Sequence, residues 1–107
     1  MAMADSLHNW DALDGLQKEV NAWQRKNFPD CQAWELALGV SEEAGEIADY
    51  VLKSHRNIRS DDFPEERLKD AVGDIVVYLF GVCDQHGWLL SQVLTGTVRE
   101  VLTRTWT

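Results

Sequence analysis

Ser41-Glu42-Glu43-Ala44-Gly45-Glu46 is the stretch on which the reading of this chain turns. It lies inside a long apolar-periodic segment, so it is predicted to be the middle of a helix. Residues three or four apart on a helix share a face. Glu43 and Glu46 then stand one turn apart on one side, and Glu42 meets Glu46 as well. Like charges at that spacing destabilise a helix by roughly a few tenths of a kcal/mol per pair. A divalent cation would offset that repulsion. A second pair of acids, Asp70 and Asp74, follows about one helix later. Two facing helices carrying such pairs would make an all-oxygen cage suited to Mg²⁺ or Mn²⁺.

Working outward, the helix around this stretch is predicted from about Cys31 to Ser54. Trp34, Leu38, Ala44, Ala48, Val51 and Leu52 are expected on its buried side, with Val40 and Ile47 widening the apolar surface. Asp30 is the expected N-cap. Before it, Leu13, Leu16, Val20 and Trp23 recur at helical spacing from Asp11 to Asn27, with Gln17, Lys18, Glu19 and Arg25 off that stripe. Phe28-Pro29-Asp30 ends this first helix, because the residue before a proline avoids the helical region.

After a loop over residues 55–63, a third helix is predicted from Pro64 to Gln85, capped by Asp61 or Asp62. Leu68, Val72, Ile75, Leu79 and Val82 make its stripe, while Asp70, Asp74 and Tyr78 stack at four-residue spacing on another face. Gly87 is placed to end it in a left-handed conformation. A fourth helix follows from about Leu90 to Arg104, with Val93, Leu94, Val98, Val101 and Leu102 as its apolar residues. The fold class expected is therefore all-α, a four-helix bundle, in a single domain spanning residues 1–107.

The totals narrow the function. The chain has 107 residues and a formal charge of -8, which argues against nucleic acid as a partner, since phosphate-backbone binding needs a positive stripe. An acidic protein can still take a nucleotide through bridging metal ions and a local basic cluster. Cys31 and Cys83 fall in apolar segments without a Cys-x-x-Cys, and are read as reduced core residues of a cytoplasmic protein. The first residues carry no basic and apolar regions of a signal peptide, and no apolar run is long enough to span a membrane.

A single acid on a helix is ordinarily a solvated surface residue. Here the acids crowd one turn without enough interleaved cations. Asp74 also sits within Ala71-Val72-Gly73-Asp74-Ile75-Val76-Val77-Tyr78-Leu79, where an unpaired charge is expensive. Lys53, His55, Arg56 and Arg59 can complement the helix dipole or grip phosphate oxygens. Trp23, Phe28 and Tyr78 are the candidates for stacking on a base, Tyr78 foremost because it shares a face with Asp74. No histidine stands in a Glu-x-x-His, which counts against a di-iron bundle.

With these residues in view, the chain resembles the MazG-like family of all-α nucleoside triphosphate pyrophosphohydrolases. Glu42-Glu43-Ala44-Gly45-Glu46 matches the family's E-E-x-x-E, and Gly73-Asp74 is followed by an apolar stretch with an aromatic. The resemblance covers roughly residues 13–106. One departure stands out. The family's second motif is E-x-x-D, and three residues before Asp74 lies Ala71, with Asp70 one position earlier.

The resemblance implies Mg²⁺-dependent cleavage of a (d)NTP between the α and β phosphates, giving a monophosphate and pyrophosphate, in nucleotide-pool housecleaning. It implies Glu43, Glu46 and Asp74 as metal ligands, with Asp70 as the fourth and Glu42 or a water as its replacement. Glu42 or Glu46 would orient or deprotonate the attacking water. Lys53, Arg56 and Arg59 would hold the β and γ phosphates, and Arg104 would approach from a neighbouring subunit of a dimer or a dimer of dimers. Two alternatives stay open: an enzyme like phosphoribosyl-ATP pyrophosphatase, and a non-catalytic helical binding module.

Overall fold

The computed structural model describes residues 9–56 and 65–106. These form four helices: α1 (Asp11–Asn27), α2 (Ala33–His55), α3 (Glu65–Gln85) and α4 (Leu90–Thr103). No strand occurs among the described residues. No helix of the described residues is long and apolar enough to cross a membrane. The all-α class and the four helices expected from periodicity are present. The cap expected from Asp61 or Asp62 and the expected first helical residue, Pro64, lie outside the described residues, as does Arg59.

Local chemistry explains the helix ends. Asn9 Oδ1 accepts the Asp11 N–H at 2.9 Å, and Asp11 and Asp14 occupy the positive end of α1. Arg25 and Lys26 stand in its last turn, and the helix stops where Phe28 precedes Pro29. The cap of α2 differs from expectation. Asp30 lies in the turn after Pro29, and Gln32 is the N-cap. The Gln32 N–H donates to Glu35 Oε1 at 3.1 Å, and its side-chain amide donates to the Asp30 carbonyl at 3.0 Å. Asp30 is thus spent on the turn through its backbone. At the end of α3, Gly87 has φ 72°, as expected. The Trp88 N–H reaches the Cys83 carbonyl at 2.8 Å and the Gly87 N–H reaches Asp84 at 3.1 Å. This pair of bonds is a Schellman closure, which turns the chain into α4.

α3 is the central element. It packs most extensively on α2 and also touches α1 and α4, and α1 touches α4. Phe80, Cys83 and Leu90 form the buried cluster, with Leu13, Val20, Val76 and Leu94 packed around it. Gln17 is the polar pin of this core. Only 2 % exposed, it donates to the Trp88 carbonyl at 3.0 Å and accepts the Leu90 N–H at 2.8 Å. The Leu90 N–H is one of the donors that a helix start leaves without an intrahelical partner. One glutamine thereby ties α1 to the beginning of α4.

The helical periods are as expected, but their phases differ. In α1, Gln17 and Asn21 are buried, while Leu16 and Trp23 are half exposed. In α2, the inward side is Leu36, Gly39, Val40, Glu43, Ile47 and Tyr50. Trp34 (68 % exposed), Leu38, Ala44, Ala48, Val51 and Leu52, expected inside, face away from the core. In α3, Ala71, Phe80, Gly81 and Cys83 are buried and Val72 is half exposed. In α4, Leu90 and Ser91 are buried, and Val93, Val101 and Leu102 are not. In α2 the physical reason is that both flanks are apolar and a single chain covers only one of them, whereas in α1 the hydrogen bonds of Gln17 turn a polar residue inward.

Candidate active site

The acids and Tyr78 meet along the α2–α3 contact. Two glycines let these helices and α1 approach. At Gly39 an added Cβ would collide with the Tyr78 ring, so the ring lies directly on the α2 backbone. At Gly81 a Cβ would stand 3.1 Å from both Gln24 Oε1 and a Leu36 methyl. Gln24 in turn donates from its side-chain amide to the Val77 carbonyl at 3.3 Å.

Glu43 is the half-buried member of the acidic turn. Its Oε2 is enclosed and has no hydrogen-bond partner among the described residues. Burial first, and then the charges of Glu46, Asp74 and Glu42, hold its carboxyl above the usual carboxylate range, and the Glu46 side chain lies within hydrogen-bonding reach. Glu42, Glu46 and Asp74 are exposed around it. The structure therefore brings together acids from α2 and α3 that lie 31 residues apart at Glu43 and Asp74. An enclosed, unpartnered carboxylate oxygen among all-oxygen donors fits a hard divalent cation. Among the described residues no group of three or more such side chains already converges on one point. Asp70 is exposed and is not among the acids that act on Glu43, whereas Ala71 beside it is 1 % exposed. The position where the resemblance expects a glutamate is thus a packing position in this chain.

Beside the acids lies a cavity of about 800 Å³. Trp23 and Phe28 form one wall, edge to face with centroids 5.6 Å apart and planes at 71°. Tyr78 and Asp74 of α3 line it too. Burial, then the charges of Glu43, Glu42 and Asp74, raise the Tyr78 phenol above its ordinary value and keep it a hydrogen-bond donor. Arg25 and Asp84 also line the cavity and form a two-pronged ion pair, with Nη2 to Oδ1 at 2.6 Å and Nε to Oδ2 at 3.1 Å. Asp84 holds the Arg25 guanidinium all the more firmly charged.

The basic candidates are less concentrated. Lys53 pairs with Asp49 at 3.1 Å, one turn before it on α2. Arg56 is exposed at the C-cap of α2. Arg104 is exposed and pairs with Glu100 of its own helix at 3.3 Å. Trp23, Tyr78 and Asp74 share the cavity, with Glu43 adjoining through Tyr78. Gly39, Gln24 and the Arg25–Asp84 pair were not singled out by the sequence reading. A lone glycine inside a helix is a signal of close approach, and it could have pointed to Gly39. Compared with protein-family models, with curated proteins and with solved structures, the chain finds no match.

Proposed function

We propose that the chain is a Mg²⁺-dependent nucleoside triphosphate pyrophosphohydrolase of the MazG-like kind, cleaving (d)NTP to (d)NMP and pyrophosphate. One observation supports this above the others: the acidic turn of α2 and Asp74 of α3 adjoin an aromatic-walled cavity of about 800 Å³. A base would stack on the Trp23–Phe28 wall, with Tyr78 lining the cavity between that wall and Asp74. A divalent ion, Mg²⁺ or Mn²⁺, would be held by Glu43, Glu46 and Asp74, with Asp70 as the fourth donor, and would supply charge neutralisation and an acidified water. Glu42 and Glu46, both exposed on α2, would orient or deprotonate the attacking water. Lys53, Arg56 and Arg59 would receive the outer phosphates.

The proposal includes a cytoplasmic homo-oligomer, a dimer or dimer of dimers. Trp34, Leu38, Ser41, Gly45, Ala48 and Leu52 follow one another in three- and four-residue steps along the outer side of α2, an exposed and largely apolar stripe. A second copy of the chain is the partner proposed for it, bringing Arg104 toward the neighbouring site.

The test is pyrophosphate release from a panel of standard and modified (d)NTPs, with Mg²⁺ and with EDTA, for wild type and Glu46→Gln. Metal-dependent release that the substitution abolishes supports the reading, and no release from any nucleotide overturns it. The buried, apolar position 71 favours the second reading, a helical binding module with no turnover. That module shows neither release nor Mg²⁺-linked stabilisation.

A further inference from the structure

The geometry points to Tyr78 as the residue that selects the sugar, favouring 2′-deoxyribose over ribose, with Gly39 as its positioning residue. This rests on the pyrophosphohydrolase reading above and assigns a part of the substrate to a side chain.

A nucleotide has its sugar between its base and its phosphates. The aromatic wall that suits a base is Trp23 and Phe28, on the α1 side. The acids that suit metal-borne phosphates are Glu43, Glu46 and Asp74. Tyr78 belongs to both environments, because its ring lines the cavity while Glu43, Glu42 and Asp74 act on its hydroxyl. A nucleotide laid from one end to the other passes its sugar over this ring.

The ring cannot retreat from an added atom. It lies on the backbone of α2 where Gly39 leaves no side chain, and even one methyl group there would collide with it. Residue 39 is itself buried in the helix pair. A ribose adds one hydroxyl oxygen on the face of the sugar that a fixed neighbour can exclude. A rigid wall discriminates against one extra atom group by roughly 10- to 200-fold. Tyr78→Ala removes the wall, Tyr78→Phe keeps the wall and removes the hydroxyl, and Gly39→Ala pushes the ring out of its seat.

The experiment measures kcat/KM for a dNTP and for the NTP of the same base with Mg²⁺, in wild type and these three variants, with circular dichroism to show that each is folded. The expected result is a wild-type preference for the deoxy substrate. That ratio falls about tenfold or more in Tyr78→Ala, stays within about threefold in Tyr78→Phe, and shifts in Gly39→Ala. The double variant Gly39→Ala/Tyr78→Ala gives the same ratio as Tyr78→Ala alone, since the glycine acts only through the ring. A wild type active on both sugars with no preference, or a ratio unchanged by Tyr78→Ala, overturns the sugar assignment and leaves the hydrolase reading intact. A ratio lost in Tyr78→Phe overturns the steric wall in favour of a hydroxyl contact. Absence of turnover from every nucleotide overturns the hydrolase reading and this assignment with it.

Discussion

Glu43→Gln is expected to stabilise the protein without metal and to weaken it, relative to wild type, with metal. Glu43 feels repulsion from Glu46, Asp74 and Glu42, and its Oε2 is enclosed without a partner among the described residues. The surrounding acids are exposed, so the three repulsions belong at surface values, a few tenths of a kcal/mol each. Removing them while keeping the side-chain shape is worth about 1 kcal/mol, or roughly 4–8 °C in Tm for a domain of this size. Protonation of wild-type Glu43 does the same. Its folded-state pKa is raised, so the folded chain binds a proton at a pH where the unfolded chain does not. Wild-type stability therefore rises as pH falls from neutral through the raised value, and the gain is complete below the ordinary 4.5. Glu43→Gln flattens this part of the profile. A ligand at 100 times its Kd adds about 2.7 kcal/mol to the wild type. The variant has lost a donor and gains less, so the order of stabilities reverses. Urea and thermal unfolding in EDTA and in Mg²⁺, from pH 4 to pH 8, read all three effects. A variant less stable than wild type in EDTA at pH 7 would refute the reasoning, because Glu43 would then be a structural residue. Equal Mg²⁺ stabilisation of both proteins would refute its role as a ligand.

Three further outcomes are expected. Gln17→Leu keeps the volume but leaves the Leu90 N–H and the Trp88 carbonyl without their partner, for a loss of about 2–4 kcal/mol in urea unfolding. Leu38→Asp places a charge on the exposed stripe of α2, and sedimentation should show a shift toward monomer with little loss of helical signal in the dissociated chain. Arg25→Ala breaks an ion pair whose arginine side chain is 64 % exposed, so stability changes little, while KM for any nucleotide that reaches the Arg25 side of the cavity changes more than kcat.

The number, order and approximate ends of the helices were legible because they depend on short-range signals. Pro29 after Phe28 and Gly87 after Gln85 are stops whose chemistry is complete within a few residues. Which side of each helix turns inward was not legible. Leu16 and Gln17 are adjacent, and composition favours burying the leucine. The glutamine wins because its amide meets Trp88 and Leu90, more than 70 residues away, and satisfies a helix start that apolar packing could not. A hydrophobicity pattern carries no record of such a partner. In α2 the same ambiguity has another source. Both flanks are apolar, Leu36 to Tyr50 on one and Trp34 to Leu52 on the other, and the period alone does not rank them.

The candidate site divides along the same line. Glu42, Glu43 and Glu46 are grouped by one helical turn, so a sequence reader could join them. Asp74 and Tyr78 are likewise one turn apart on α3. Joining the two sets required the contact at Gly39, and a missing side chain marks that contact only by the propensity it sacrifices. A glycine in a helix interior gives up about 1 kcal/mol relative to alanine. At Gly39 that loss is matched by a specific gain, since the aromatic ring of α3 rests where a methyl group would stand and α2 and α3 draw together at the acids. Gly45, two turns on, has open space where its Cβ would be and faces outward on the apolar stripe of α2. Nothing among the described residues offsets its lost propensity. The two glycines therefore test two different surfaces. Gly39→Ala should disturb Tyr78 in a single chain, while Gly45→Ala should raise the helical stability of a dissociated chain and weaken only an association that needs α2 helices in close approach. Opposite signs in unfolding measurements at low concentration, negative for residue 39 and positive for residue 45, are the outcome this packing requires. A destabilising Gly45→Ala in the monomer would place an unrecognised intrachain contact on that outer face.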